Sequence, residues 1–151
     1  MITKYQCEIC HREYNNKPEA IACEAQGKMP QLFPIGMIFG RDALHEKKNE
    51  HMIFAVAGFN QTDHYGTYLA WGARDFRAGD NLPDSKEEIK NPRNTCGFTI
   101  YRIDEASLSH FLKYEMKEPN QKVPAFERMV KALKKYGVQP KVLKGGEAIE
   151  I

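Results

Sequence analysis

Three cysteines close to the start of the chain are the residues best able to carry chemistry: Cys7, Cys10 and Cys23. A Cys-x-x-Cys turn brings two sulfurs to one side of a tight knuckle, where they can share a tetrahedral ion. Twelve residues separate Cys10 from Cys23, the spacing at which a two-Cys-two-His zinc finger places its third ligand. The pattern therefore predicts that these three thiolates bind one zinc ion, Zn²⁺.

The fourth ligand does not follow from the spacing. A zinc finger places it shortly after the third, but positions 27–29 hold Gly27, Lys28 and Met29, none of which is a zinc ligand. It must come from elsewhere, be water or be missing. The favoured candidates are Cys96, at the start of a predicted strand, and His64, in a predicted turn.

Other uses of the cysteines have less support in the sequence. A thioredoxin-like redox pair would follow a strand in a βαβ pattern, which is absent. A catalytic zinc with a water ligand would need a general base, and no His-Glu-x-x-His motif accompanies the cysteines. Inert thiols remain the plain alternative, but clustered cysteines in a cytosolic chain favour a metal.

A short helix must position the third cysteine. Asn16 and Pro18 are typical of a helix start and Gly27 of a helix end, so a helix is predicted over 18–25, with Cys23 packed above the knuckle. Residues 1–28 form the predicted zinc-binding module. A module of this size buries too little surface to fold alone, so the metal must supply folding free energy.

The runs 5–14 (YQCEICHREY) and 18–24 (PEAIACE) resemble the N-terminal module of small zinc-binding proteins of phages and mobile elements. In those proteins a β-rich domain often follows, with an opening similar to residues 33–38 (FPIGMI) here. The resemblance implies a mobile-element setting in the cytosol of a bacterial host. Small non-enzymatic proteins of that setting often block host defence complexes, as anti-CRISPR proteins do.

Residues 35–151 are predicted to form one α+β domain. Apolar runs predict strands, and apolar residues at helical spacing predict two helices near the end of the chain. Asp104 is the predicted N-cap of the first helix, and Gly137 ends the second. The strands are expected at 35–39, 52–57, 67–71, 96–103, 138–143 and 148–151, and the helices at 104–117 and 124–136. We expect a small, bent, antiparallel, barrel-like sheet with both C-terminal helices on one side. Its predicted core is Phe54, Val56, Trp71, Phe98, Phe126 and Leu133.

Composition excludes several classes. An apolar fraction of 42% and a charged fraction of 28% are values of a folded globular chain, which excludes wholesale disorder. A net charge of +2 is too small for a dedicated DNA-coating protein. No apolar stretch is long enough to span a membrane and no signal core opens the chain, so a cytoplasmic location is expected.

The sequence contains none of the common enzyme motifs considered: it has no phosphate-binding loop, no glycine-rich dinucleotide-binding motif and no Gly-x-Ser-x-Gly nucleophile elbow. We therefore expect a non-enzymatic, zinc-stabilised binding protein that acts stoichiometrically on a protein or ribonucleoprotein such as a CRISPR-Cas effector, with no membrane and no small-molecule substrate. The expected contact surface is the long loop 74–94 together with the exposed part of the zinc module, because Arg74, Phe76 and Arg77 are residue types enriched at interfaces.

The alternative function is a zinc-finger-like DNA- or RNA-binding protein. Aromatic side chains on the predicted strands could form a stacking face for bases, although aromatic residues on strands are more often part of a core. The residues of that face would be Tyr65, Tyr68, Trp71, Phe98 and Tyr101.

Overall fold

The computed structural model describes residues 3–40, 52–61, 63–75, 80–85, 96–100 and 116–144, with backbone alone for 96–100. Within these ranges the fold is α+β, with two helices and two sheets. In chain order the elements are β1 (Tyr5–Gln6), β2 (Glu13–Tyr14), α1 (Lys17–Ala25), β3 (Met37–Gly40), β4 (Met52–Asn60), β5 (Gly66–Arg74), β6 (Cys96–Ile100), α2 (Pro124–Lys135) and β7 (Lys141–Val142).

The larger sheet has five strands in the order β6-β5-β4-β3-β7. Its centre is the long antiparallel hairpin of β4 and β5, which pairs Met52 with Arg74 at one end and Asn60 with Thr67 next to the turn. An irregularity between Val56 and Gly58 shifts the register within this hairpin. The hairpin forms because two apolar runs flank a short polar turn.

Two features of the predicted sheet are wrong. The last strand, β7, pairs parallel with β3, so the sheet is mixed rather than purely antiparallel. Across the described ranges, β6 and β7 are the two ends of an open strand order, so these residues form no closed barrel.

Both faces of the larger sheet are buried. Successive side chains of a strand point to opposite faces, and here each set meets its own apolar layer. One layer consists of Met29, Phe33, Met37, Phe39, Phe54, Val56, Tyr68, Ala70 and Met116. The other consists of Ile38, Ile53, Ala55, Ala57, Trp71, Ala73 and, from α2, Ala125, Met129 and Leu133.

The predicted core residues therefore divide between two layers instead of sharing one. Phe54 and Val56 lie in the first layer, whereas Trp71 and Leu133 lie in the second, with Phe126 half-buried against it. The side chain of Phe98 lies outside the described residues. Helix α2 packs against the second face, whereas the segment from Met29 to Phe33 and Met116 are among the described residues that cover the first.

Helix α2 lies where apolar spacing predicts a helix, and Gly137, with φ of 76°, follows its end. The predicted helix at 104–117 falls mostly on residues outside the described ranges. Its expected last residue, Lys117, is not helical but exchanges two backbone hydrogen bonds with Gly40, both of 2.8 Å.

The N-terminal module is a separate small layer in which β1 pairs antiparallel with β2, and α1 packs against this hairpin. In the part of the chain that the structure describes, neither helix has the length and apolar character needed to cross a membrane.

Candidate metal centre

The turn between β1 and β2 forms the knuckle that carries Cys7 and Cys10. The backbone N–H of Cys7 donates to the Arg12 carbonyl at 2.9 Å, and that of His11 donates to the Cys7 carbonyl at 2.8 Å. These bonds close the turn tightly and require a left-handed residue after the second cysteine. His11 takes that conformation, with φ of 64°.

Helix α1 places Cys23 over the knuckle. The Asn16 side chain caps its first turn by accepting a hydrogen bond from the Glu19 backbone N–H at 2.9 Å. Further along, the Glu24 carboxylate accepts a hydrogen bond of 3.0 Å from the Glu8 backbone N–H, which fastens the helix to the knuckle. Ala20 and Cys23 are the buried residues of α1, so the helix turns its sulfur inward.

The fourth group of the cluster is His64, which lies in the turn between β4 and β5 and is only 4% exposed. Its Nε2 atom is 3.2 Å from the sulfur of Cys23 and 3.5 Å from the sulfur of Cys7. Its Nδ1 atom is 2.7 Å from the Gly27 carbonyl oxygen.

The contact with Gly27 fixes the tautomer of His64. A carbonyl oxygen can only accept, so Nδ1 must carry the proton and donate it. In the neutral ring Nε2 then keeps its lone pair and directs it at the sulfurs. A backbone carbonyl that orients the other ring nitrogen is the usual support of a metal-binding histidine.

The spacing of the four groups fits a metal ion. Their ligand atoms all lie within 4.8 Å of one another, and the sulfurs of Cys10 and Cys23 are 3.6 Å apart. Zn–S bonds of about 2.3 Å and Zn–N bonds of about 2.0–2.1 Å in a tetrahedral shell would place ligand atoms about 3.5–3.8 Å apart. The cysteines are free thiols rather than disulfides. The cluster can therefore hold one metal ion, and its three-sulfur, one-nitrogen donor set suits zinc.

The surroundings shift the pKa values of Cys7 and Cys23 in opposite directions. Burial, the largest influence, raises the pKa of Cys7, but hydrogen bonds from the Cys10 and Ile9 backbone and from the neighbouring thiols bring it from 9.0 to about 7. For Cys23, a hydrogen bond with the Tyr14 hydroxyl lowers the pKa, but burial and the adjacent sulfurs raise it overall. Cys7 therefore ionises more readily than Cys23, and a cation would relieve the crowding of negative sulfur.

Of the two favoured candidates for the fourth ligand, the structure brings His64 to the cysteines. The backbone of Cys96 pairs with Ala70 on β5, and its side chain lies outside the described residues. The sequence signal for His64 was its position between two apolar runs that pair as a hairpin. That signal predicts a turn at His64, but it does not predict that the turn lies against the cysteines.

An open pocket of about 190 Å³ adjoins the metal centre. Cys10, Cys23 and His64 line its inner side, and Cys10 is half-buried, whereas Cys7 is completely buried. The remaining lining residues come from the module and from the β4–β5 turn: Arg12, Tyr14, Gln26, Asp63 and Tyr65. Solvent therefore approaches the centre from the Cys10 side.

The predicted partner-binding residues are only partly described. Phe76 and Arg77 lie outside the described residues. Arg74 is exposed, but its Nε donates to the Met52 sulfur at 3.0 Å, and its carbonyl accepts from Arg128 of α2 at 2.7 Å. Arg128 also forms an ion pair with Asp80.

Residues 80–85, later in the same predicted loop, are held against the domain. The backbone N–H of Asn81 donates to the Gly72 carbonyl at 2.8 Å, and the Tyr136 hydroxyl donates to the Pro83 carbonyl at 3.1 Å. Leu82 packs against the second apolar layer. This part of the loop is therefore a fixed surface of the domain.

Two of the five residues predicted to form an aromatic stacking face for bases are buried in the structure. Tyr68 and Trp71 are fully buried and lie in opposite layers, so neither can stack on a base. Tyr65 is exposed, Phe98 has no described side chain and Tyr101 lies outside the described residues.

Comparison of the chain with protein-family models, with curated proteins and with solved structures found no match in any of the three.

Proposed function

We propose that the protein is a zinc-stabilised binding protein that acts without turnover on a protein-containing partner. The observation that carries this proposal is the donor set of Cys7, Cys10, Cys23 and His64, which gather within 4.8 Å. Four protein ligands complete a tetrahedral shell and leave no position for a substrate or an activated water. A centre of this kind stabilises a fold.

Zinc is the metal that this set of ligands favours. Thiolate and imidazole are soft to borderline donors, and a tetrahedral arrangement of them is typical of structural zinc. A zinc ion bound to such a site contributes about 10–16 kcal/mol to folding at neutral pH. That contribution is needed here, because β1, β2 and α1 bury few apolar side chains among themselves.

A protein-containing partner is favoured over bare nucleic acid by two observations. The net charge of +2 provides little electrostatic attraction to phosphates, and Tyr68 and Trp71 are buried. The resemblance of the module to those of phage and mobile-element proteins makes a host defence complex, such as a CRISPR-Cas effector, the first partner to test. In this proposal the protein is an inhibitor that occupies its target.

The test is a titration of a CRISPR-Cas effector with the zinc-loaded protein, with nuclease activity as the readout. We expect inhibition to reach a plateau near one equivalent. Full inhibition at a small fraction of an equivalent would show turnover and contradict the proposal. A gel shift of an oligonucleotide that weakens steeply with salt would favour the nucleic-acid-binding alternative.

A further inference from the structure

The N-terminal module and the larger sheet have few apolar contacts in common. The buried residues of the module are Cys7, Ala20 and Cys23. None of them belongs to either apolar layer of the sheet as far as the described residues define those layers. The hydrophobic effect that holds β3, β4, β5 and α2 together therefore does little to hold the module in place.

The described hydrogen bonds from the sheet to Gly27 of the module, and to Met29 directly after it, converge on the β4–β5 turn. The backbone N–H of Met29 donates to the His64 carbonyl at 3.0 Å, and the His64 Nδ1 donates to the Gly27 carbonyl at 2.7 Å. Gln61 adds a third bond by donating from its side chain to the Met29 carbonyl at 2.6 Å. All three bonds hold the segment that leaves α1.

Hydrogen bonds alone make a weak attachment. Each exchanges a bond with water for a bond within the protein, so its net contribution is only about 1 kcal/mol. A metal ion held by all four groups would add a much stronger link, because His64 comes from the β4–β5 turn whereas Cys7, Cys10 and Cys23 come from the module.

We infer that the metal ion is a clamp: with His64 as its fourth ligand, it docks the N-terminal module onto the β4–β5 hairpin. This inference rests on the metal centre of the proposed function and adds what that metal does. A partner that contacts both the module and the hairpin meets a single surface only while the metal is bound. The pocket lined by Arg12 and Gln26 from the module and by Asp63 and Tyr65 from the turn is such a surface.

The test compares three variants of the full chain. His64→Ala removes the proposed fourth ligand. His11→Gly removes an exposed histidine of the knuckle and keeps its left-handed backbone, so it controls for the loss of an imidazole. Gln61→Ala removes one docking hydrogen bond and keeps the ligand. Zinc affinity is measured by competition with a chelator, and the Co²⁺-loaded proteins are compared by their visible ligand-field spectra.

We expect His64→Ala to lower zinc affinity by more than the ~10–100-fold that loss of a ligand's hydrogen-bond partner costs, and to alter the Co²⁺ spectrum. His11→Gly and Gln61→Ala should stay within about tenfold of the wild type, since neither removes a ligand. A His64→Ala protein with wild-type zinc affinity and an unchanged Co²⁺ spectrum would overturn the inference.

Hydrogen exchange tests the docking itself. In zinc-saturated His64→Ala, the amide of Met29 should exchange faster than in the wild type, while the amides of Cys7 and His11 within the knuckle stay protected. Equal protection of Met29 in both proteins would overturn the clamp. Should His64→Ala fail to fold, the wild-type protein is compared with and without a chelator. The amide of Met29 should then exchange faster together with those of Cys7 and His11, and unchanged protection of Met29 would overturn the clamp.

The outcomes separate this inference from the proposed function. A wild-type protein that takes up no zinc would contradict both. A zinc protein whose His64→Ala variant behaves as the wild type would contradict the clamp alone. A zinc-clamped protein that acts at substoichiometric ratios would contradict the proposed function alone.

Discussion

At the scale of single residues, His11 stands out among the described residues as a non-glycine residue with a positive φ. Its φ of 64° lies in the left-handed region, which costs an ordinary L-residue roughly 1–2 kcal/mol. The knuckle imposes it, because the backbone N–H of His11 must reach the Cys7 carbonyl while its own carbonyl accepts from the Gln6 side chain. Neither bond uses the imidazole.

The first prediction therefore concerns position 11. His11→Gly should relieve the strain and, after the larger entropy of its unfolded chain is subtracted, stabilise the zinc-bound module by about 0.5 kcal/mol. His11→Val should destabilise it by about 1 kcal/mol or more, because a β-branched residue is poorly tolerated at positive φ. Chelator competition measures both. Equal zinc affinities for the two variants would show that the turn does not require this backbone.

The sequence predicted the three cysteine ligands but did not decide the fourth ligand, and the reason is physical. Cys7, Cys10 and Cys23 are joined by one turn and one helix, and local geometry relates their sulfurs directly. His64 comes 41 residues after Cys23, so its position depends on the register of β4 and β5 and on the segment that leaves α1. The spacing of residues along the chain could not decide between His64 and Cys96 as the fourth ligand. The pairing of β4 with β5 in the folded structure places His64 at the site.

At the scale of elements, the apolar runs at 52–57 and 67–71 predicted the positions of β4 and β5, although both strands extend beyond those runs. Their continuity arises because both faces of the sheet are covered, a pattern that is readable without tertiary information. The parallel pairing of β7 was not readable. Its two residues, Lys141 and Val142, give no periodicity, and its direction depends on the crossover through α2.

The second prediction concerns α1, whose only task in the described structure is to carry Cys23 and hold the knuckle. Asn16→Ala removes the side-chain acceptor of the first turn and should cost about 1 kcal/mol. Because metal binding and folding of the module are linked, zinc affinity should fall about fivefold, the equivalent of ~1 kcal/mol. Asn16→Asp keeps the acceptor and should leave the affinity near that of the wild type.

A result in which Asn16→Ala and Asn16→Asp lose zinc affinity equally would contradict this account. It would mean that the amide group of Asn16, rather than its oxygen acceptor, supports the helix. Unchanged affinity in both variants would mean that α1 is stable without its cap.

At the scale of the whole molecule, the structure offers a reporter that is confined to the sheet. Trp71 is the single tryptophan of the chain and is 1% exposed in the layer beneath α2. That layer contains no residue of the module within the described ranges. Tryptophan fluorescence therefore follows the state of the sheet and not that of the knuckle.

The third prediction uses this reporter. Chelation of the metal should abolish hydrogen-exchange protection of Cys7 and His11, because a module without its ion lacks the folding free energy that zinc supplies. The emission of Trp71 should stay at its native position, because both apolar layers of the sheet persist. Cys10→Ser should behave in the same way. A red shift of Trp71 on chelation would show instead that the module and the sheet unfold as one unit.

The position of the ligands along the chain also has a consequence for biosynthesis. A ribosome releases Cys7, Cys10 and Cys23 well before the β4–β5 hairpin that carries His64. At about 5–20 residues per second, the three thiolates are exposed for several seconds before their fourth ligand can fold. An ion captured in that interval keeps one position open to water or to a competing thiol. Completion of the hairpin would then close the shell of the proposed centre, so the order of synthesis sets when the fourth ligand reaches the ion.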